Sequence, residues 1–386
     1  MDSLRIGMFS WESLHSVKVG GISPHVSELS EALALKGHEV HVFTRAGDRG
    51  PYKKVNGVRY QRVDNDRSNG ITRQMDSMCD RMVDRFRSTE KLFGRFDILH
   101  GHDWHPVKAL NRLKHKYGRS YIFTFHSTEW GRNGNKFGNG YDAGEISHRE
   151  WSGGYESSKV IITSRALKEE VQSIYSIPSY KIRLIPNGIF PGKIRRDLDA
   201  GAVKRKYGIH PLAPLILFVG RMRYQKGPDI LVDAIPLILK ERGDARFIFV
   251  GEGDMRRECE AKVWEKGVGK SCAFTGYISD ESIAELINAC DMLVVPSRNE
   301  PFGIVVLEAW DAGKPVIGTD SVHIIDNFVN GIKARINPDS IAWCVLDVIN
   351  KPDALRWMGA QGKKLIDSLY NWDNVADETI KLYNEI

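Results

Sequence analysis

Two cations sit five residues apart in "GRMRYQKG", residues 220–227, directly after the apolar run "PLILFVG". Arg221 offers forked hydrogen bonds and Lys226 a compact charge, a combination suited to a diphosphate. Further along, "RNEPFGIVVLEAWDAGKPV", residues 298–316, sets Glu300 in a turn-like stretch and Glu308 in a run whose other members, Ile304 to Trp310, are all apolar. A short helix that is apolar nearly all round is a buried one. An unpaired carboxylate is costly to bury, so Glu308 needs donors. They can be an internal Arg or backbone N–H, or the hydroxyls of a ligand. In the N-terminal half, "KVGGISPH", residues 18–25, pairs Gly20 with Gly21 at a strand-to-helix junction, where backbone amides can approach a phosphate or sugar. "HGHDWHP" and "FHSTEW" contribute His100, His102, Asp103, His105 and His126 after two apolar runs. His100 and His102 are read as alternating along a strand end and pointing opposite ways. That reading puts a metal second to Asp103 and His126 acting as polar groups beside a sugar.

Short Val/Ile/Phe-rich runs must position these groups. "RIGMFS", "HEVHVFT", "DILHGH", "YIFTFH", "KVIITS" and "IRLIPNG" alternate with helix-like stretches in the first half. "PLILFVGR", "ARFIFVGEG", "AFTGY", "MLVVPS" and "PVIGTD" do so in the second. The pattern predicts an α/β fold with parallel sheets, whose carboxyl edges bind ligands. At 386 residues the chain suits two domains. The polar, proline-flanked stretch 191–213 marks the boundary. Residues 131–150, rich in Gly and Asn, read as a mobile loop. Met75, Met78, Cys79, Met82, Phe86 and Phe93 fall at helical spacing and predict a core-facing helix with a basic outer face, ahead of a membrane-surface helix.

Several function classes drop out. Neither GxGxxG nor GxxxxGK[ST] occurs, which argues against an NAD enzyme and an ATPase phosphate loop. Five scattered cysteines without a CxxC pair predict reduced thiols in a cytoplasmic protein, without structural zinc. The N-terminus lacks the pattern of a signal peptide, and no apolar run is long enough to span a bilayer. The net charge is +6, but residues 1–190 hold 29 Lys+Arg against 21 Asp+Glu. That excess suits an anionic partner or a weak membrane-surface contact, with a solvated face as the default. Nucleic acid is not an expected partner.

As a set, "KVGG", "HDWHP", "TFHS", "IPNG", "GRMRYQKG", "FTGY" and "EPFGIVVLEA" resemble the retaining glycosyltransferases of the GT-B architecture, in order and spacing, over nearly the whole chain. "KVGG" with "HDWHP" looks like glycogen and starch synthases, whereas "HSTEWGRNG" and "IPNG" look like the broader group that includes sucrose-phosphate synthase. The resemblance implies two Rossmann-like domains facing each other across a cleft: residues 1–190 on the acceptor side, 191–372 binding the nucleotide sugar, and a terminal helix, 373–386, returning to the first domain. It places Lys18, Gly20 and Gly21 at the donor diphosphate, and Arg221 and Lys226 on the departing nucleoside diphosphate. Glu300 then holds sugar hydroxyls. Tyr277 and Ile278 line the donor site, and amides around Phe302, Gly303, Ile304 and Val305 cap phosphate and sugar. Glu308 accepts from the ribose hydroxyls. His126 touches the transferred sugar and Asp103 lies near sugar or acceptor. Three departures stand out: Ser321 and His323 where the family often has glycines, Phe190 where Asp is frequent, and a chain shorter than most glycogen synthases.

The implied reaction moves a hexose, glucose first, from an ADP- or UDP-sugar to an acceptor hydroxyl with retention, without metal or other cofactor. An α-glucan is the leading acceptor. A phosphorylated sugar or anionic lipid acceptor, a nucleotide-sugar epimerase of the same fold, and a binding protein without turnover are the alternatives.

Overall fold

The computed structural model describes residues 3–67 and 70–386. The chain divides into two compact units, Met1–Gly188 with Trp372–Ile386, and Ile189–Asn371.

The first unit runs β1 (Arg5–Phe9), α1 (Ile22–Leu35), β2 (Glu39–Arg45), β3 (Tyr52–Val55), β4 (Val58–Val63), α2 (Ile71–Phe93), β5 (Ile98–His102), α3 (Val107–Tyr117), β6 (Ile122–Phe125), α4 (Glu129–Arg132), α5 (Tyr141–Glu156), β7 (Lys159–Ile162), α6 (Arg165–Tyr175) and β8 (Ile182–Leu184). The sheet order is β3-β4-β2-β1-β5-β6-β7-β8. It is parallel apart from the β3–β4 hairpin at one edge. Strands buried on both faces need near-continuous apolar runs, which β1, β6 and β7 supply, whereas β5 is buried throughout yet carries His100 and His102. On α2, Met75, Met78, Cys79, Met82 and Phe86 form the buried stripe that their spacing predicts, and Phe93 is half-buried.

The second unit runs α7 (Ala200–Lys206), β9 (Leu215–Val219), α8 (Pro228–Glu241), β10 (Arg246–Val250), α9 (Arg256–Glu265), β11 (Cys272–Gly276), α10 (Asp280–Ala289), β12 (Met292–Val295), α11 (Ile304–Asp311), β13 (Val316–Thr319), β14 (Gly331–Ala334), α12 (Pro338–Ile349) and α13 (Pro352–Ser368). Its all-parallel sheet has the order β11-β10-β9-β12-β13-β14, which is the doubly wound 3-2-1-4-5-6 pattern. The last helix, α14 (Trp372–Tyr383), belongs to the first unit. There Trp372 donates its indole N–H to the buried Glu28 of α1 at 2.6 Å, and Lys36 pairs with Asp373 and Asp377.

One expectation about loops needs correction. Residues 131–150 are not one mobile loop, because α5 occupies 141 onward and buries Arg149 and Glu150. The Gly/Asn-rich part before it is tied down by Glu129, whose carboxylate accepts from the amide N–H of Gly138 at 3.2 Å. The stretch 191–213 lies at the start of the second unit and is anchored to it. The buried Asp311 carboxylate, at the end of α11, accepts from the amides of Gly192 and Ile194 at 2.7 Å each. Ile194, Val203, Ile209 and Ala213 join the core of the second unit. One buried acid thus satisfies several main-chain donors at the start of this polar stretch.

Candidate functional site

Both sheets reverse strand order at one point, β1/β5 in the first unit and β9/β12 in the second, and open α/β sheets bind ligands outside the strand ends there. Most of the candidate residues lie on loops near these two points, whereas Tyr277 and Ile278 follow β11, two strands away.

In the first unit β1 leads into the loop that carries Lys18, Gly20 and Gly21. Glu12, which sequence reasoning passed over, organises this loop. Its Oε2 accepts from the amides of Val19 at 2.6 Å and Gly20 at 2.8 Å, and from the Ser23 hydroxyl at 2.5 Å, and the side chain is 2% exposed. The Gly20 amide assigned to the donor diphosphate is therefore already bonded to Glu12. The loop's polar atoms must first be satisfied by the fold, and a buried carboxylate needs several donors. Lys18 and Gly21 are exposed and remain on the outer side of the loop. Truncation in Glu12→Ala strands three donors and is expected to cost about 1–3 kcal/mol in urea denaturation. Hydrogen exchange at the Val19 and Gly20 amides should accelerate in the same variant.

Across the switch point, β5 ends in His100, Gly101 and His102. Side chains two apart on a strand share a face, and the two rings lie with centroids 4.2 Å apart. The expectation that they point opposite ways is wrong, because alternation separates neighbours and not next-neighbours. His100 lies 2.8 Å from the Tyr383 hydroxyl and 2.6 Å from that of Thr124. His105 stacks on Trp11 at 4.3 Å. His102 instead meets His126, Nδ1 to Nε2, at 3.2 Å. His25, buried in α1 and also missed from sequence, gives its Nδ1 proton to Asn187 at 2.8 Å. Burial holds His25 and His102 well below the ordinary histidine range, and the same cause with the His100 charge lowers His126 to about 3. All three imidazoles are neutral at pH 7.

Asp103 follows with φ 57°, in the left-handed region, where Asp and Asn are the tolerated non-glycine residues. Its carboxylate accepts from the His126 amide at 2.8 Å and is 2% exposed. Asp103 therefore fixes the backbone that carries His126. The loop after His126 is fastened by a residue the sequence did not single out. Glu150, buried, accepts from the Glu129 amide at 2.8 Å, from Arg132 at 2.5 Å and from the Tyr175 hydroxyl at 2.5 Å.

Burial pushes the Asp103 carboxyl up to about 7, against the pull of Arg132 and the His126 amide. Between about pH 4 and 7 the folded protein then holds a proton that the unfolded chain releases. The Asp103 contribution is fully present below that window and is lost as pH rises through it. The neutral histidines act oppositely, since the unfolded chain gains their protons below about pH 6.5. Asp103→Asn keeps the acceptor and tolerates the backbone, so it isolates the carboxyl effect. Urea denaturation should show the variant gaining on the parent by up to about 4 kcal/mol between pH 4 and 7.

In the second unit Lys226 follows β9 and Glu300 follows β12. Gly227 lets them meet: its φ is 63°, and a Cβ there would lie 2.1 Å from the Pro296 carbonyl oxygen. Lys226 Nζ lies 2.8 and 2.7 Å from the two Glu300 oxygens, and Ser297 Oγ donates to Glu300 at 2.9 Å. Glu300 is 6% exposed. Ser321, where the family often has glycine, donates to the Ser297 carbonyl at 2.8 Å and so braces the loop that carries Glu300. Arg298 makes a two-pronged pair with Asp229 at 2.8 and 2.6 Å and covers the Tyr224 ring at 3.9 Å. Arg221, half-buried, sits on the loop after β9, where the Met222 amide bonds the Glu252 carbonyl. Tyr277 is exposed and Ile278 half-buried after β11.

Glu308 is not buried as the apolar run implied. Ile304, Val305 and Glu308 form a half-open face of α11, while Val306, Leu307, Ala309 and Trp310 pack inward. Hydrophobicity all round hid a two-faced helix. Gly303, φ 94°, caps α11 without a side-chain bond, and Phe302 is buried beside it. The positive end of the helix therefore lies in the same loop as Glu300.

Two doubly wound domains with polar clusters at their switch points define a GT-B fold. The sucrose-phosphate synthase from Thermosynechococcus elongatus superposes with TM-score 0.84 at 22% identity, covering 99% of this chain and 98% of that one. Residues 19–192 match the model for Glycosyltransferase Family 4, and residues 200–365 match Glycosyl transferases group 1. An uncharacterised glycosyltransferase of Methanocaldococcus jannaschii is 36% identical, covering 98% of each chain. The protein belongs to the glycosyltransferases. A glycogen synthase of Mycobacterium tuberculosis is 27% identical, covering 98% of this chain and 94% of its own.

Proposed function

We propose that the protein is a retaining hexosyltransferase that moves glucose from a nucleoside-diphosphate sugar to a saccharide hydroxyl, with an α-glucan as the acceptor and no metal in the reaction. The observation that carries this reading is the Lys226–Glu300 pair at the β9/β12 switch point, beside the positive end of α11. Cleaving the sugar–phosphate bond puts negative charge on the leaving diphosphate and positive charge on the sugar ring. Lys226, Arg221 and the first amides of α11 suit the former. Glu300 suits sugar hydroxyls, and a neutral His126 does not oppose the positive ring. Glu308, on the half-open face of α11, suits ribose hydroxyls. Similarity over nearly full length to a glycogen synthase supports the glucan acceptor.

A second reading, transfer to a phosphorylated sugar or anionic lipid, is favoured by the basic excess in residues 1–190. No helix among the described residues is long and apolar enough to cross a membrane. Purified protein incubated with ADP-, UDP- and GDP-sugars, with and without glycogen, distinguishes these readings by the nucleoside diphosphate released. Glycogen-stimulated release from one donor supports the first. Release stimulated instead by sugar phosphates or anionic vesicles replaces it with the second. Tight donor binding without turnover under any acceptor sinks both.

A further inference from the structure

The three histidines at the β1/β5 switch point form an arrangement that sugar transfer alone does not require. His25, on α1, His102, at the end of β5, and His126, after β6, each offer one ring nitrogen, and these atoms all lie within 4.8 Å of one another. The closest pair, His102 Nδ1 and His126 Nε2, is 3.2 Å apart. Imidazole nitrogens about 2.0–2.1 Å from a tetrahedral zinc ion sit roughly 3.3 Å from each other, so this pair already has the spacing and the third ring must close in.

Outer contacts set the tautomer of two of the three rings. Asn187 accepts the His25 Nδ1 proton, which leaves Nε2 as a lone-pair donor, and that buried Nε2 has no hydrogen-bond partner. His25 is 3% exposed, so the unsatisfied atom is not serviced by bulk water. His102 holds its other nitrogen, Nε2, 3.5 Å from Met8 Sδ, which leaves Nδ1 facing His126. Such second partners fix the tautomer and orient the ring. An all-imidazole set favours late first-row divalent ions over magnesium or calcium.

We propose that His25, His102 and His126 bind one divalent cation of the zinc class, and that its binding inhibits transfer by taking up the His126 ring. The proton balance is closed within the cluster. His102 keeps its proton on Nε2, and His126 moves its proton from Nε2 to Nδ1, so both facing lone pairs become available and the His102–His126 hydrogen bond is given up. The fourth position is open to water or a ligand, since three imidazoles leave a tetrahedral ion one site short.

The inhibitory half rests on the proposed role of His126, whereas binding does not, so the two are measured separately. Chelator-treated full-length protein is titrated with Zn²⁺ by calorimetry, and with Co²⁺ by visible absorption, which reports tetrahedral coordination. One equivalent per chain is expected. Affinity should fall at least tenfold in His25→Asn and in His126→Asn, both checked for folding by thermal melt. His126 is half-open, so its variant guards against misfolding of the buried one. His115→Ala, at an exposed histidine, should bind as the parent does. Binding that is absent, or that survives both cluster substitutions, overturns the site. If one equivalent binds but nucleoside diphosphate release is unchanged, the site stands and the inhibitory half falls. If release shows no transfer in metal-free protein, the proposed function has failed while the binding result stands by itself.

Discussion

Lys226→Ala should lower kcat/KM for the nucleotide sugar by about two to three orders of magnitude, the range seen when one preorganised donor to a developing negative charge is removed. The same substitution should destabilise the second unit. Glu300 is 4% exposed at its side chain and also accepts from the Ser297 hydroxyl, so removing the ammonium leaves a buried carboxylate short of partners. Lys226 is itself 23% exposed, which discounts the effect to about 1–3 kcal/mol. The two consequences separate in a double variant. Lys226→Met with Glu300→Gln removes both charges and keeps both volumes, so the unpaired-charge penalty disappears and stability should return to within about 1 kcal/mol of the parent. Activity should not return, since neither the cation for the diphosphate nor the carboxylate for the sugar is restored. Recovery of activity along with stability would reduce the pair to scaffolding and remove the main support for the donor site. Urea denaturation and initial rates at saturating and limiting donor supply both readouts.

The sequence made the doubly wound sheets visible because strands buried on both faces are written as continuous apolar runs, and parallel pairing forces a helix between them. It made Lys226 and Glu300 visible because each follows such a run. Their contact was not readable. It depends on Gly227 admitting the Pro296 carbonyl, a close approach between segments about 70 residues apart. Glu12 and His25 escaped for a related reason. A Glu in "SWES" and a His in "SPHV" have no local pattern, and their meaning lies in who meets them: the loop amides for one, Asn187 and two other histidines for the other. The helix α11 shows the opposite error. Its composition promised burial on every side, yet Glu308 lies on a half-open face, because composition counts apolar residues without saying which of them a neighbour covers. The 191–213 stretch repeats the lesson, since one buried acid, Asp311, converts a polar segment into fixed structure.

His126→Ala should lower kcat by about a hundredfold and leave donor KM within a few-fold of the parent. The argument starts from charge. A sugar ring losing its diphosphate becomes positive, so an imidazolium facing it would raise the barrier, and the useful form is a neutral ring that holds a hydroxyl. Burial and the His100 charge lower His126 to about 3, so it remains neutral throughout the range in which the protein can be assayed. The acid limb of the kcat profile should therefore show no histidine-like step near pH 6.5 that is lost in His126→Ala. Position comes from two neighbours: Asp103 holds the main chain at the His126 amide, and His102 holds the ring. His126→Asn keeps a neutral polar side chain but reaches less far and should recover part of the loss. His126→Lys introduces the charge that the neutral ring avoids and should be at least as poor as alanine. An ordering in which lysine outperforms asparagine would mean that this position stabilises the departing diphosphate, and would reassign His126 from the sugar to the leaving group. Single-turnover rates with saturating donor decide it, because they separate the chemical step from product release.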